Sequence, residues 1–253
     1  MNVVYFAFLQ HYGLMAQTVG RRSGQHRSSY HHGDLPNALT DAATEMARQG
    51  GPDAVVLRAA AREAGVSAAA AYRHFADHGE LLHAVQLRAL DALAAAMQAS
   101  LDSGDPLPDP AQESVRQFRA LGAAYIRFAL ADPGLFRTAF CRPDQPVADA
   151  AAKFAARSPF ALLASVLDDL VRLGVLDPSR RQGAEIAAWS AVHGLATLLV
   201  DGPLALLTAD ERARAIQRIG DFALDGITAQ PAAERASAAQ PPADPAFRTG
   251  SAG

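Results

Sequence analysis

Leu35, Ala38, Leu39, Ala42, Ala43 and Met46 recur three and four positions apart, so one apolar stripe runs along a helix that opens just after Asp34. Asp34 suits the N-cap, and Pro36 falls in the first turn, where a missing N–H leaves nothing unpaired. Gly50-Gly51-Pro52 stops this helix. The pattern predicts a second helix over 57–64 closed by Gly65, and a third over 68–75 capped by Ser67. A fourth begins near Asp77 and runs to Leu101. A stretch carrying Gly104, Pro106, Pro108 and Pro110 then interrupts the periodicity. Further helices are expected at 111–131, 134–140, 147–173, 180–200 and 209–228. They are separated by Asp132-Pro133-Gly134, Gly174, Asp177-Pro178 and Gly202-Pro203. Residues 16–33 are polar and read as a flexible arm, and 230–253 are rich in Ala, Pro and Ser and predicted to be disordered. No internal repeat is present.

Composition sharpens this into an all-α expectation. Half of the 253 residues are hydrophobic but only 7% are aromatic, and alanine, the best helix former, dominates the apolar set. Alternating runs of β-branched residues are scarce. The net charge of -3 argues against a general polyanion binder. Cys141 is the single cysteine, which excludes an intramolecular disulfide and a multi-cysteine metal site and fits a reducing cytoplasm. No apolar run is long enough to span a membrane, so a cytoplasmic location without membrane contact is expected. The apolar opening from Met1 to Leu9 lacks a basic region before it and a small-residue cleavage site after it. Met15 offers a second start, which would leave residues 1–14 untranslated.

The segment from Leu57 to Phe75 carries the most specific chemistry. Two helices crossing steeply over a short turn need a small residue at their contact and a glycine at the bend. Ala61 and Gly65 supply them. Val66 and Ala71 would point inward and lock the pair, while Ser67 caps a helix whose start is free to enter a major groove. An ordinary helical hairpin with a glycine cap is the alternative reading of this spacing. Three features favour DNA. Tyr72 and His74 can donate to phosphate oxygens, Arg58 can neutralise another phosphate, and Arg21, Arg22 and Arg27 make the acid-free arm basic. The candidate DNA-binding residues are therefore Arg58, Ser67, Ala68, Ala69, Tyr72, Arg73 and His74, with Arg21, Arg22 and Arg27 in the arm.

Tyr30-His31-His32-Gly33-Asp34-Leu35, Ala38-Leu39, Ala64-Gly65-Val66-Ser67, Tyr72-Arg73-His74-Phe75 and Leu81-Leu82 together resemble the DNA-binding half of a TetR-family (tetracycline-repressor-like) regulator. Trp189-Ser190-Ala191-Val192-His193-Gly194-Leu195 is similar to the Trp-His-Gly signature of one branch of that family. The resemblance implies a helix-turn-helix DNA-binding domain at 30–82 and a helical ligand-binding and dimerisation domain at 83–228. An arm at 1–29 and a tail at 229–253 flank them. It further implies a homodimer on an inverted-repeat operator of double-stranded DNA, repression, and release by a small-molecule effector.

The sequence departs from the family pattern in the recognition helix. Ala68-Ala69-Ala70-Ala71 stands where Lys and other polar residues are common, and methyl groups touch thymine methyls but make no bidentate hydrogen bond to a base. His78-Gly79 replaces the usual Lys-acidic pair, and Pro36 stands where Arg is frequent. Residues 34–82 hold four Arg and no Lys against seven Asp and Glu. Site choice is thus expected to rest on Arg73 and on DNA shape.

In the second half, Phe128, Phe136, Phe140, Phe160, Trp189 and His193 are the candidate lining of an effector pocket, since an alanine-rich bundle leaves room between helices. Trp189 and His193 share one helix face. As a dimer face, the helices at 184–200 and 209–227 are favoured, with Ala213, Ile216, Ile219 or Gly220, Ala223 and Ile227 as the repeating stripe. No metal site is expected, because no second ligand stands at the right spacing to His193. No cofactor motif, paired carboxylates, nucleophile elbow or phosphate loop marks an enzyme, so no catalytic residue is expected. A dimeric small-molecule-binding module that has lost sequence-specific DNA binding is the competing reading, prompted by the alanine run and the acidic balance.

Overall fold

The structure, a computed structural model, describes residues 35–141 and 158–229. Within them all regular structure is helical. The elements are α1 (Leu35–Gly50), α2 (Leu57–Glu63), α3 (Ala68–Ala71), α4 (His78–Leu101), α5 (Pro110–Ala131), α6 (Pro133–Phe140), α7 (Pro159–Arg172), α8 (Ala184–Val200) and α9 (Ala209–Thr228). Short 3-10 turns occur at Pro52–Ala54, Pro178–Arg180 and Pro203–Leu206. The expected N-cap Asp34, the basic arm, the segment 147–157 and the tail from 230 lie outside the described residues.

Local chemistry sets most helix starts. Ser67, Asp77, Asp109, Ser158 and Thr208 each accept a hydrogen bond from a backbone N–H of the first turn that has no helical partner. Thr208 and Glu211 complete a reciprocal capping box. Two boundaries differ from the periodicity. The third helix is regular only to Ala71, because Phe75 is drawn into the core and Asp77 takes extended backbone to cap α4. The helix expected from 180 starts at Ala184, after the 3-10 turn and after Gly183, whose φ of 83° is left-handed.

Two cores form. Leu39, Val55, Leu57, Leu81 and Val85 centre the first, and Leu93, Leu121, Ile126, Leu167 and Leu170 centre the second. α4 contributes to both, with Leu81 to Leu90 in the first and Leu93 and Met97 in the second. The division expected at 82 and 83 thus falls inside one continuous helix.

α6 is wedged between the cores. Its Leu135 and Ala139 belong to the first and its Phe136 to the second. Gly134 lies so close to α1 that an added Cβ would sit 2.3 Å from the carbonyl oxygens of Ala47 and Arg48. Arg48 pairs with Asp132 at the start of α6, and Arg137 pairs with Asp201 after α8 at 2.6 Å. Gln86 of α4 donates to the Cys141 carbonyl at 2.7 Å just past the end of α6.

One expectation is corrected. Apart from the exposed Ala213, the stripe assigned to the dimer face faces inward: Gly220, Ala223 and Ile227 are buried, and Ile216 and Ile219 pack on the subunit's own core. Helical periodicity identifies an apolar face but not what covers it, and here α5 and α8 cover it.

Candidate DNA-binding surface and effector site

The bend between α2 and α3 follows from two small residues. Gly65 has φ 70°, a region that alanine enters only with strain, and Val66 N–H bonds back to the Ala61 carbonyl at 2.9 Å. Ala61 and Ala71 are buried where the helices meet, and Val66 is half-buried beside them. The Ser67 hydroxyl accepts from Ala70 N–H at 3.2 Å, so its oxygen serves the helix start. Ala69 is exposed and Ala68 half-exposed at that start. Immediately after α3, Tyr72 is 46% exposed, and Arg73 and His74 are also exposed. Arg58 projects from α2. The side chains of Arg58 and Arg73 form no ion pair or hydrogen bond among the described residues, unlike Arg48, Arg88 and Arg137, which are all paired. The surface therefore combines free guanidinium and hydroxyl donors with a small, methyl-only helix start. Arg21, Arg22 and Arg27 lie outside the described residues.

Five of the six pocket candidates come together in one ring cluster on the second core. Trp189 and His193 are on α8, Phe136 and Phe140 on α6, Phe128 on α5 and Phe160 on α7. Ring centroids lie 5.0 Å apart for Phe140 and His193, 5.5 Å for Phe136 and His193, and 6.0 Å for Phe160 and Trp189. Phe128 packs against both cores rather than in this ring cluster. A cavity of about 30 Å³ adjoins the cluster, with Trp189 as the one candidate in its wall. Gly122, Ala188, Gly220 and Ala223 form its small-residue walls.

Sequence reasoning places Tyr125 only in an apolar stripe. Its hydroxyl lies 2.8 Å from His193 Nδ1, and its ring meets Trp189 at 5.2 Å and 72°. A separation of 68 residues leaves no local signal for that pair. Burial pushes the His193 pKa below its ordinary value near 6.5. A neutral ring with its proton on Nε2 accepts the Tyr125 hydrogen bond at Nδ1, and the other tautomer reverses its direction. Because the folded value is depressed, the unfolded chain binds more protons in the interval below about pH 6.5, so this contribution to stability is present above that value and is lost on acidification. The urea midpoint is therefore expected to fall more steeply between about pH 7 and pH 5 in the wild type than in His193→Gln. Parallel curves would exclude His193 as a source of the pH dependence.

Among the described residues no group of three or more His, Cys, Asp or Glu is placed to hold a metal ion, and no helix is long and apolar enough to cross a membrane.

Residues 39–85 match the family described as bacterial regulatory proteins, tetR family, and residues 118–222 match the tetracyclin repressor-like C-terminal domain. A protein of unknown function from Rhodococcus sp. RHA1 is 27% identical, with TM-score 0.61, over 80% of this chain and all of its own. A TetR-family transcription regulator from Marinobacter aquaeolei VT8 shares the fold at 20% identity and TM-score 0.52, covering 76% of this chain and 95% of its own. RolR in complex with resorcinol does so at 20% and 0.53, covering 82% and 94%. No curated protein matches the sequence. With a helix-turn-helix whose guanidinium and hydroxyl donors are free, and a helical body matched by the same family, the chain belongs to the TetR family of bacterial transcriptional regulators.

Proposed function

We propose that this regulator is a homodimeric repressor that holds an inverted-repeat operator and is released from it by a small-molecule effector. The observation that carries the DNA half is the uncommitted set Arg58, Tyr72, Arg73 and His74 around the exposed start of α3. Arg73 reaches base edges from the end of the helix, while Tyr72, His74 and Arg58 hold phosphates and set register. Ser67, Ala68 and Ala69 bring the helix start close to the bases. Arg21, Arg22 and Arg27 reach along an adjacent groove.

Support for the dimer comes from the outer faces of α8 and α9. Ala187, Ser190, Gly194 and Thr197 are exposed along one side of α8 and allow close helix approach. Leu198 and Phe222 stand exposed beside them, Phe222 at 68%. A two-fold pairing of this surface would place two reading heads on inverted half-sites.

Phe128, Phe136, Phe140, Phe160, Trp189 and His193, joined by Tyr125, form the effector site. An effector there bears on Phe136 and Phe140, and α6 carries that displacement to α1 through Gly134 and the Arg48–Asp132 pair. The effector shifts the population only through tighter binding to the released arrangement. The RolR complex with resorcinol supports a small molecule in this fold. The alanine-only start of α3 favours the second reading, a binding module without sequence-selective DNA recognition.

Selection of bound duplexes from a random pool, followed by fluorescence anisotropy across salt, tests the proposal. An inverted repeat is expected, with affinity falling steeply as salt rises, by about 0.9 in logarithmic slope per neutralised phosphate. Arg73→Ala is expected to relax base preference at one position per half-site by about 1–3 kcal/mol. Tyr72→Phe should weaken all sequences alike. A selection that returns no inverted repeat would leave the binding module as the better reading.

A further inference from the structure

We infer that the effector is an uncharged, single-ring aromatic bearing a hydroxyl group, and that this hydroxyl inserts between Tyr125 and His193. The inference rests on the effector-site reading above and names the chemistry that the site takes.

Three features of the site carry it. The first is the Tyr125–His193 hydrogen bond of 2.8 Å, a polar contact joining α5 to α8 inside the ring cluster. A guest that enters there must break this bond, which costs free energy at the buried Tyr125 and the half-buried His193 unless the guest replaces it. Among neutral groups whose one heteroatom is an oxygen, a hydroxyl alone solves this, because it accepts and donates at once. With the ring proton on Nε2 it accepts a hydrogen bond from Tyr125 and donates one to Nδ1, and in the other tautomer it accepts from Nδ1 and donates to the Tyr125 oxygen, so one bond becomes two either way. An ether or a ketone oxygen only accepts, so with the ring proton on Nε2 it leaves Nδ1 without a donor.

The second feature is ring geometry. Tyr125 meets Phe136 at 89° and Trp189 at 72°, and Phe140 meets Trp189 at 73°, so edges lie against faces at these three contacts, while Tyr125 and Phe140 are tilted at 40°. A flat ring extends that arrangement, with centroids within the 4.5–7 Å range of favourable aromatic pairs.

The third is the adjoining cavity. Among the described residues its wall holds no Asp, Glu, Lys or Arg, so from these a carboxylate or ammonium guest would find no countercharge to replace its hydration. At about 30 Å³ the space has room for a few water molecules at most, too little for a ring without adjustment. Trp189, half-buried and shared by the cluster and the cavity wall, is the side chain placed to give way.

Trp189 is the sole tryptophan of the chain, so its emission reports directly on the site. The full-length protein would be titrated with phenol, anisole, cyclohexanol and benzoate, exciting at the red edge of the tryptophan band, with calorimetry as the second readout. Phenol is expected to give a saturable change and to bind about tenfold tighter than anisole, the equivalent of one hydrogen bond and an avoided unpaired group. Cyclohexanol should be weaker by a similar factor, and benzoate should not saturate. In His193→Leu, checked for folding by circular dichroism, phenol and anisole should converge to within twofold, since Tyr125 can donate to either oxygen. Absence of a saturable phenol response, equal affinity for anisole or cyclohexanol in the wild type, or tight benzoate binding would each overturn the inference. Phenol binding by a protein that selects no operator would sink the regulator reading and leave this one standing. Operator binding without a phenol response would do the reverse.

Discussion

Gly134→Ala is expected to lower the melting temperature by about 6–12 °C, from a destabilisation of about 3 kcal/mol. The added methyl carbon would lie 2.3 Å from two carbonyl oxygens of α1, at Ala47 and Arg48, and 2.8 Å from a carbonyl carbon. These are backbone atoms in the last turn of a helix whose Ala43 and Ala47 are fully buried, so no rotamer change relieves the clash. Relief requires α1 and α6 to separate. That movement opens the junction of the two cores, where Leu135 and Ala139 of α6 pack beside Leu39 and Val85. It also displaces the reading head relative to the body, so operator affinity should fall in the same variant. Arg48→Ala serves as the comparison. It deletes the Arg48–Asp132 pair without adding an atom, and with Arg48 half exposed the expected loss is about 0–1 kcal/mol. Differential scanning fluorimetry on the three proteins decides the matter. A Gly134→Ala midpoint no lower than that of Arg48→Ala would mean that α1 and α6 do not meet as described.

Arg181→Leu is expected to cost about 3 kcal/mol, again about 6–12 °C. Glu185 of α8 is buried, with a side chain only 5% exposed, and its counterion is Arg181 four residues earlier. Arg181 also pairs with Asp168 of α7 at 2.7 Å and donates to the Ala164 carbonyl at 3.3 Å. Its removal leaves a carboxylate in the interior whose other oxygen already lacks a partner. Breaking a buried pair from one side typically costs 3–5 kcal/mol. Glu185 lies in the first turn of α8, where the helix dipole favours its charge, and this places the expectation at the lower end. Adding Glu185→Leu to Arg181→Leu should restore most of the loss, since an apolar pair of similar volume is near neutral in place of a buried ion pair. A double variant as unstable as the single would show that the arginine acts through α7 instead.

The features legible in the residues themselves are mainly local. Prolines, glycines and capping residues act within one turn, so the breaks at Gly50-Gly51-Pro52, Gly65 and Gly104–Pro110 follow directly from residue type and spacing. So do the cap Ser67, the helix start near Asp77, and the bend carried by Ala61 and Gly65. The exposed triplet Tyr72, Arg73 and His74 is legible for the same reason: its distance from the bend is fixed by helix geometry. The shortened α3 escapes that reading because the burial of Phe75 ends it, and burial is a non-local event. The same division runs through the effector site. Aromatic residues are visible as candidates, and Trp189 and His193 fall on one face by their spacing of four. Tertiary packing alone sets Tyr125 against His193, Gly134 against the carbonyls of α1, and Glu185 against Arg181 in the interior. It alone turns the stripe of α9 inward, because an amphipathic helix carries the direction of its apolar face but not the identity of its cover. In a chain this rich in alanine, helix packing is decided by where the few large side chains and the glycines meet, and those meetings join residues that the sequence holds far apart.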